Sequence, residues 1–307
     1  MVGFVTHAAC LEHLVLPGHP ERPERLAFLL AQLKAGGHLD GLDQVPCAAA
    51  SLEDAARVHD ARLVQWLEAS SPDDGLVRVD PDTTMSSGSL GAALACIGAA
   101  TAAVDWVLTG GGPTGRRAFC AIRPPGHHAE EAAAMGFCLF NTVAIAADLA
   151  LARADVERLA ILDFDVHHGN GTVDIFRDRP EVLVCSTFQF PHYPGRGHDV
   201  LRPHLVHSPL PPGSTGSDFR RAVEEDWAPA LRAHRPDLIL VSAGFDAHEA
   251  DPLGDLRLRE ADFDWVTRFI VDAAEQSAQG RVVSALEGGY DLPALAASVE
   301  THLAALR

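Results

Sequence analysis

Residues 159–172 read Leu-Ala-Ile-Leu-Asp-Phe-Asp-Val-His-His-Gly-Asn-Gly-Thr. The stretch opens on an aliphatic run without polar alternation, the pattern of a strand buried on both faces of a sheet. It then breaks at once into acids, imidazoles and glycines. The same grammar recurs along the chain. Short apolar runs at 119–122, 159–164, 182–185, 238–242 and 282–286 are separated by helical patterns at 89–108, 142–154, 217–234, 260–278 and 292–306. Strand-then-helix alternation predicts an α/β fold, a parallel sheet with helices on both faces and right-handed connections.

Outward from this core the chain changes character. Residues 17–23, Pro-Gly-His-Pro-Glu-Arg-Pro, are too rich in proline for a helix interior and read as a structured loop. Short amphipathic helices are expected at 25–35 and 61–69. No linker-like break in composition follows, so residues 1–307 are read as a single domain with a helical, loop-rich N-terminal cap. Residues 191–216 are rich in proline, glycine and histidine and read as a long loop without regular structure of its own, which is usually functional.

Composition narrows the class. Hydrophobic residues make up 47% of the 307 and charged residues 21%, which excludes disorder. The formal net charge of −18 argues against a nucleic-acid groove and favours small cations or basic tails as partners. Lys34 is the only lysine. The six cysteines include no C-x-x-C pair, so neither a cysteine zinc knuckle nor a redox dithiol has support. Residues 90–104 form the most apolar segment, too short to span a bilayer, and read as a buried helix rather than a membrane segment. The opening residues lack a basic start followed by a long apolar stretch, so a cytoplasmic protein is expected. A homo-oligomer is left open.

Ligands of open α/β sheets sit beyond the carboxyl ends of the strands. Four strand exits carry chemistry there: Asp163-Phe-Asp165-Val-His167-His168-Gly-Asn170, Phe245-Asp246, Glu287-Gly288-Gly289-Tyr290 and Arg123-Pro-Pro-Gly126-His127-His128. Asp165 and His167 lie two apart on an extended segment and point the same way. With Asp246 they offer two carboxylates and one imidazole, a three-ligand set with an open position that suits zinc, and also Fe(II) or Mn(II). Taken alone, Asp165 would read as a capping residue; the set does not. His127 and His128 are candidates for proton transfer, and Asp163 and Asn170 are available to orient them. An Asp partner raises imidazole basicity more than an Asn partner, so the two histidines should differ in protonation. The Tyr290 hydroxyl could donate to an oxyanion. With no serine or cysteine nucleophile motif, the set points to metal-dependent hydrolysis of an amide or ester.

Six motifs in order, Gly18-His-Pro-Glu-Arg-Pro-Glu-Arg-Leu26, Arg123-Pro-Pro-Gly-His-His128, Gly136-Phe-Cys-Leu-Phe-Asn141, the stretch 163–172, Ser242-Ala-Gly-Phe-Asp246 with Asp251-Pro-Leu253, and Leu286-Glu-Gly-Gly-Tyr-Asp291, resemble the histone deacetylase superfamily, most of all its class II and bacterial amidohydrolase branch, which includes acetylpolyamine amidohydrolases. The resemblance runs from about residue 18 to 295. It implies an arginase-like α/β fold with a central parallel sheet of about eight strands. It implies zinc on Asp165, His167 and Asp246, with Asp163 behind His127 and Asn170 behind His128. His128 would be the general base and acid, His127 would act electrostatically, and Tyr290 would steady the oxyanion. It further implies a structural potassium ion on the backbone carbonyls of Asp163, Asp165 and His167 plus Ser186. Gly136 and Phe137 would line the acyl tunnel with Tyr193 opposite, Arg25 would lie near an internal exit region, and Ser89 would supply a rim hydroxyl. The substrate would be an acetylated lysine peptide or a small acetylated amine such as a polyamine. The rim loop, Pro191-His-Tyr-Pro-Gly-Arg-Gly-His198, departs from relatives in being more basic and histidine-rich. Two other readings stay open here. One is a binuclear manganese ureohydrolase, for which His248 stands where a further Asp would be wanted; the other is a non-catalytic module binding an acylated metabolite.

Overall fold

The apolar runs become the interior of one eight-stranded sheet. The computed structural model describes residues 2–110 and 116–307. Its strands are β1 (Val2–Val5), β2 (Asp43–Gln44), β3 (Val77–Arg78), β4 (Thr84–Met85), β5 (Arg117–Cys120), β6 (Leu159–Asp163), β7 (Val182–Gln189), β8 (Leu205–Leu210), β9 (Leu238–Ala243) and β10 (Val282–Leu286). The large sheet runs β2-β1-β5-β10-β9-β6-β7-β8, and every pairing in it is parallel. β3 and β4 form a separate antiparallel pair. Every residue of β6, β9 and β10 is buried, which is why these strands carry no polar alternation.

The expected helices form with small shifts at their ends, for example Ser89–Thr109, Thr142–Leu151 and Glu260–Ser277. Helix Ser89–Thr109 is the one helix among the described residues long and apolar enough to cross a membrane. Thirteen of its residues are buried, and it packs on helix Thr142–Leu151 and on β1 and β5. The pattern at 217–234 is broken into Gly216–Ala222, a π turn Val223–Trp227 and Ala228–His234. Pro229 cannot donate the helical hydrogen bond, and the turn before it widens.

Four expectations need correction. The strand expected at 119–122 begins and ends two residues earlier, because β1 pairs Val2 with Arg117 and because Pro124 and Pro125 have no N–H to continue a ladder. The stretch 191–216 is not wholly irregular: it contains β8, the sheet edge, where Pro209 is tolerated. The N-terminal cap is not all helix and loop, since β1 lies inside the sheet between β2 and β5. Ser89 is not on the rim. It opens the long helix, is fully buried, and its Oγ sits 2.6 Å from His13 Nδ1 while accepting from Ser86 N at 2.7 Å.

Candidate active site

β6, β9, β10 and the segment after β5 end on the same edge of the sheet, and their exits meet. Asp165 leaves β6 and His167 follows it. Asp246 leaves β9. Ligand atoms from these three buried residues lie within 4.8 Å of one another. Backbone amides set their orientation. Asp165 Oδ2 accepts from Gly288 N at 2.9 Å, Asp165 Oδ1 accepts from His167 N at 2.9 Å, and Asp246 Oδ1 accepts from Val166 N at 2.8 Å. His167 Nδ1 is 3.0 Å from Asp165 Oδ1 and 3.2 Å from Asp246 Oδ2.

The electrostatics of the trio are those of a cation site. Burial and the charge of Asp165 push Asp246 up to about 7. Burial opposes a charge on His167, but hydrogen bonds to Asp165 and Asp246 outweigh it and draw the ring up to about 10. Protons hold two buried carboxylates and an imidazole together, and a divalent ion would do so more strongly. Two carboxylate oxygens and a ring nitrogen are donors that suit zinc or iron. This is the single cluster of that kind among the described residues. His248, the position that bears on a two-metal reading, lies outside it, with Nε2 3.5 Å from Glu260.

The two histidines occupy the turn after Pro124-Pro125, their ring centroids 4.0 Å apart. His127 Nδ1 lies 3.0 Å from Asp163 Oδ2, and His128 Nδ1 lies 2.7 Å from Asn170 Oδ1. Both pairings are those expected from the sequence, and they separate the two rings. Burial disfavours a charged His127, yet Asp165 and Asp163 overcome it and hold its pKa well above the ordinary value. Burial lowers His128 well below it, and His127 and His167 push the same way. The two environments push the imidazoles in opposite directions, His127 towards the charged form and His128 towards the neutral one.

The glycine exit of β10 joins the parts. Tyr290 N donates to Asp251 Oδ2 at 2.6 Å, and Leu253 N donates to Asp251 Oδ1 at 3.0 Å, so one buried carboxylate holds two walls of the pocket. Arg25 donates to the carbonyls of Gly289 and Glu287 at 2.6 and 2.7 Å and lies 4.7 Å over the Tyr290 ring. Burial raises the Tyr290 pKa well above 10, which keeps the phenol a donor. Glu21 sits fully buried between Arg25 and Arg123; burial would raise its pKa, but Arg123 first and then Arg25 outweigh that and hold it near about 2.

These groups face a pocket of about 200 Å³ lined by His127, His128, His167, Gly136, Phe137, Tyr193 and Tyr290, as the sequence suggested, and also by Asp82, Pro125, His192 and Leu253. Tyr193 stands edge-on to His128 at 5.1 Å, Phe137 edge-on to Tyr290 at 6.0 Å, and His192 stacks on His167 at 5.0 Å. Larger grooves of about 540 and 560 Å³ lie elsewhere, between helices Ala228–His234 and Glu260–Ser277 and beside Thr215–Ser217, away from the histidine pair. Asp82 was not legible as a site residue. Its Oδ1 accepts from Gly136 N at 3.2 Å and from Thr83 Oγ1 at 2.9 Å, contacts across a loop that no local pattern announces. Glu287 stands in one of the four chemical strand exits, but its partner there is not legible. Its Oε2 accepts from Gly126 N at 2.6 Å and His127 N at 3.2 Å, pinning the histidine turn. The signal is a carboxylate directly after a buried strand.

On the far side of β6, Ser186 Oγ is buried without a hydrogen-bond partner, and Ser186 pairs with Asp163 in the β6–β7 ladder. An oxygen left unsatisfied inside a fold is a fit for a hard cation.

The profile of the histone deacetylase domain matches residues 19–306. A probable deacetylase of Archaeoglobus fulgidus is 37% identical, covering 95% of this chain and 82% of that protein. A histone deacetylase-like amidohydrolase of Pseudomonas aeruginosa is 39% identical, covering 92% and 78%. Among solved structures, the HDA15 HD domain superposes with a TM-score of 0.92 at 31% identity, over 99% of this chain and 88% of that one.

Proposed function

The chain belongs to the histone deacetylase family, and on that premise we propose that it is a zinc-dependent deacylase that hydrolyses the N-acetyl amide of a lysine side chain or of a small amine. The observation that carries this reading is the meeting of Asp165, His167 and Asp246 with the Asp163-paired His127, the Asn170-paired His128 and Tyr290 at one narrow pocket. Asp165, His167 and Asp246 would hold a divalent ion, which would supply Lewis acidity for the amide carbonyl and for water. His128, neutral and with its Nδ1 occupied by Asn170, takes the proton from the attacking water at Nε2 and returns it to the departing amine. His127 keeps its proton and stabilises negative charge gathering between the carboxylates and the substrate. Tyr290 donates its hydroxyl proton to the oxyanion as a hydrogen bond, with the phenol position set by Arg25 and Asp251. Phe137 and Tyr193 give the slender chain of a lysine or polyamine apolar walls. The unpartnered Ser186 hydroxyl supports a structural potassium ion with the carbonyls of Asp163, Asp165 and His167.

The test is hydrolysis of a panel of acetyl-lysine peptides and acetylpolyamines by metal-stripped protein reloaded with zinc, iron or manganese, beside Tyr290→Phe. We expect turnover to return with zinc at one ion per chain, and to fall about 10²–10³-fold in the tyrosine variant while metal content holds. Full metal loading with no turnover of either substrate class would overturn the reading.

A further inference from the structure

Asn170 stands between two groups that dictate how its amide must lie. Its Nδ2 donates to Glu130 Oε1 at 2.6 Å, and its Oδ1 is 2.7 Å from His128 Nδ1. A carboxylate only accepts hydrogen bonds, so the edge of the amide that faces Glu130 must be the NH2 edge. The carbonyl edge is thereby turned to His128. A carbonyl also only accepts, so His128 Nδ1 carries the hydrogen and Nε2 carries the lone pair that faces the pocket. The other acceptors near Asn170 Nδ2, the His128 carbonyl and Met135 Sδ, lie at 3.4 and 3.5 Å and orient it weakly.

We propose that Glu130 is a positioning residue that decides which ring nitrogen of His128 holds the proton, acting through the amide of Asn170. The inference rests on the reading that His128 moves protons during hydrolysis. Glu130 is built in place. Its carbonyl accepts from His59 Nδ1 at 2.9 Å, its N–H donates to Ala133 O at 2.8 Å, and His59 Nε2 accepts from Asn141 N at 2.9 Å. Its second oxygen, Oε2, pairs with Arg196 Nη2 at 2.9 Å. Arg196 belongs to the basic rim loop, so a line of polar contacts runs from the rim to the base. His127 needs no such device. Its partner is the carboxylate of Asp163, either oxygen of which can only accept. The unlike partners of the two histidines are thus completed differently: one is an acid, the other an amide steered by an acid.

The test uses the full-length, metal-loaded chain, Glu130→Gln, and the double variant Glu130→Gln with Asn170→Asp. Glutamine keeps the shape but can meet either edge of the Asn170 amide, which frees it to turn. We expect Glu130→Gln to lower kcat about 10–100-fold, the usual loss for an outer orienting partner, with KM little changed and the melting temperature held. The ring ¹⁵N shifts of His128 should move from the Nδ1–H form towards a mixture. In the double variant the carboxylate introduced at position 170 accepts on both oxygens and needs no steering, so the Nδ1–H signature should return; kcat is not expected to follow, because a carboxylate partner also makes the ring more basic. Unchanged ring shifts in Glu130→Gln, whatever its rate, would overturn the proposal, as would a double variant whose Nδ1–H signature stays lost. The ring shifts are read without substrate. A chain that hydrolyses no acetylated amine would therefore sink the deacylase reading, and the role of Glu130 would still be decided.

Discussion

Gly288→Ala offers a direct test of the metal site, because the damage falls on the ligands. Gly288 follows β10, and its N–H donates to Asp165 Oδ2. A Cβ built there would lie 2.6 Å from Asp165 Oδ2 and 2.6 Å from Asp246 Cγ, where ordinary contact begins at 3.4 Å. The Asp165 oxygen would have to retreat by at least about 0.8 Å, the difference between those two distances, and the Asp246 carboxylate, whose Oδ2 is the nearest atom of all, by more. Metal–ligand distances tolerate only about 0.2 Å. Gly288 is not among the residues with positive φ, so alanine is compatible with the backbone and the strain is concentrated on the two carboxylates. We expect metal affinity to drop by about 10²-fold or more, about 3 kcal/mol, and hydrolysis at limiting metal to fall in parallel. Competition against a chelator of known affinity, with ions counted by mass spectrometry, measures this. A variant that binds one ion per chain with wild-type affinity would refute the assignment of Asp165 and Asp246 as joint ligands.

Two further outcomes follow from features outside the pocket. His302 is buried, 2.6 Å from Thr267 Oγ1 and 2.9 Å from Ser284 Oγ, and burial lowers its pKa from 6.5 to about 3. The unfolded chain therefore takes up a proton near 6.5 that the folded chain refuses until about 3, so this residue's contribution to stability is lost as pH falls through that window, by up to about 1.4 kcal/mol per unit. His302→Gln should be less stable than wild type at pH 7, with the gap narrowing towards pH 4.5; melting curves that stay parallel would contradict it. Gly91 is exposed near the start of helix Ser89–Thr109, and a Cβ there meets nothing within 4 Å. Gly91→Ala should stabilise the chain by about 0.5–1 kcal/mol in denaturant titration with hydrolysis unchanged, and a loss of stability would count against the helix at that position.

The site was legible where chemistry is written next to a strand. Asp165 and His167 follow β6 directly, Asp246 follows β9, and Tyr290 follows β10, so an apolar run and its polar exit fit in one short window. What is not legible are the contacts by which other groups hold these in place. Glu130 reaches Asn170 across 40 residues, Asp251 reaches Tyr290 across 39, and Glu287 reaches Gly126 across 161. No local periodicity encodes such contacts; they exist only after the sheet has ordered its strands. The fold shows the same division. Fully buried strands stood out, whereas β1 and β2 are only four and two residues long, and the edge strand β8 was hidden by its histidine and proline. Ser89 was misplaced because a serine opening a helix looks alike at a rim and beneath one.

The spatial order of the sheet decides which strand completes the pocket. β10 is the last strand in the chain, yet it lies between β5 and β9, at the junction of what would otherwise be two separate ribbons. Until β10 docks there, Asp165, His167 and Asp246 lack the turn that donates Gly288 N–H to Asp165 and carries Tyr290. An ion captured before that moment would meet an unbraced cradle. On the proposed metal site, firm loading would therefore be coupled to the docking of this one strand, and a chain cut before residue 282 would lack both its central splice and its phenol.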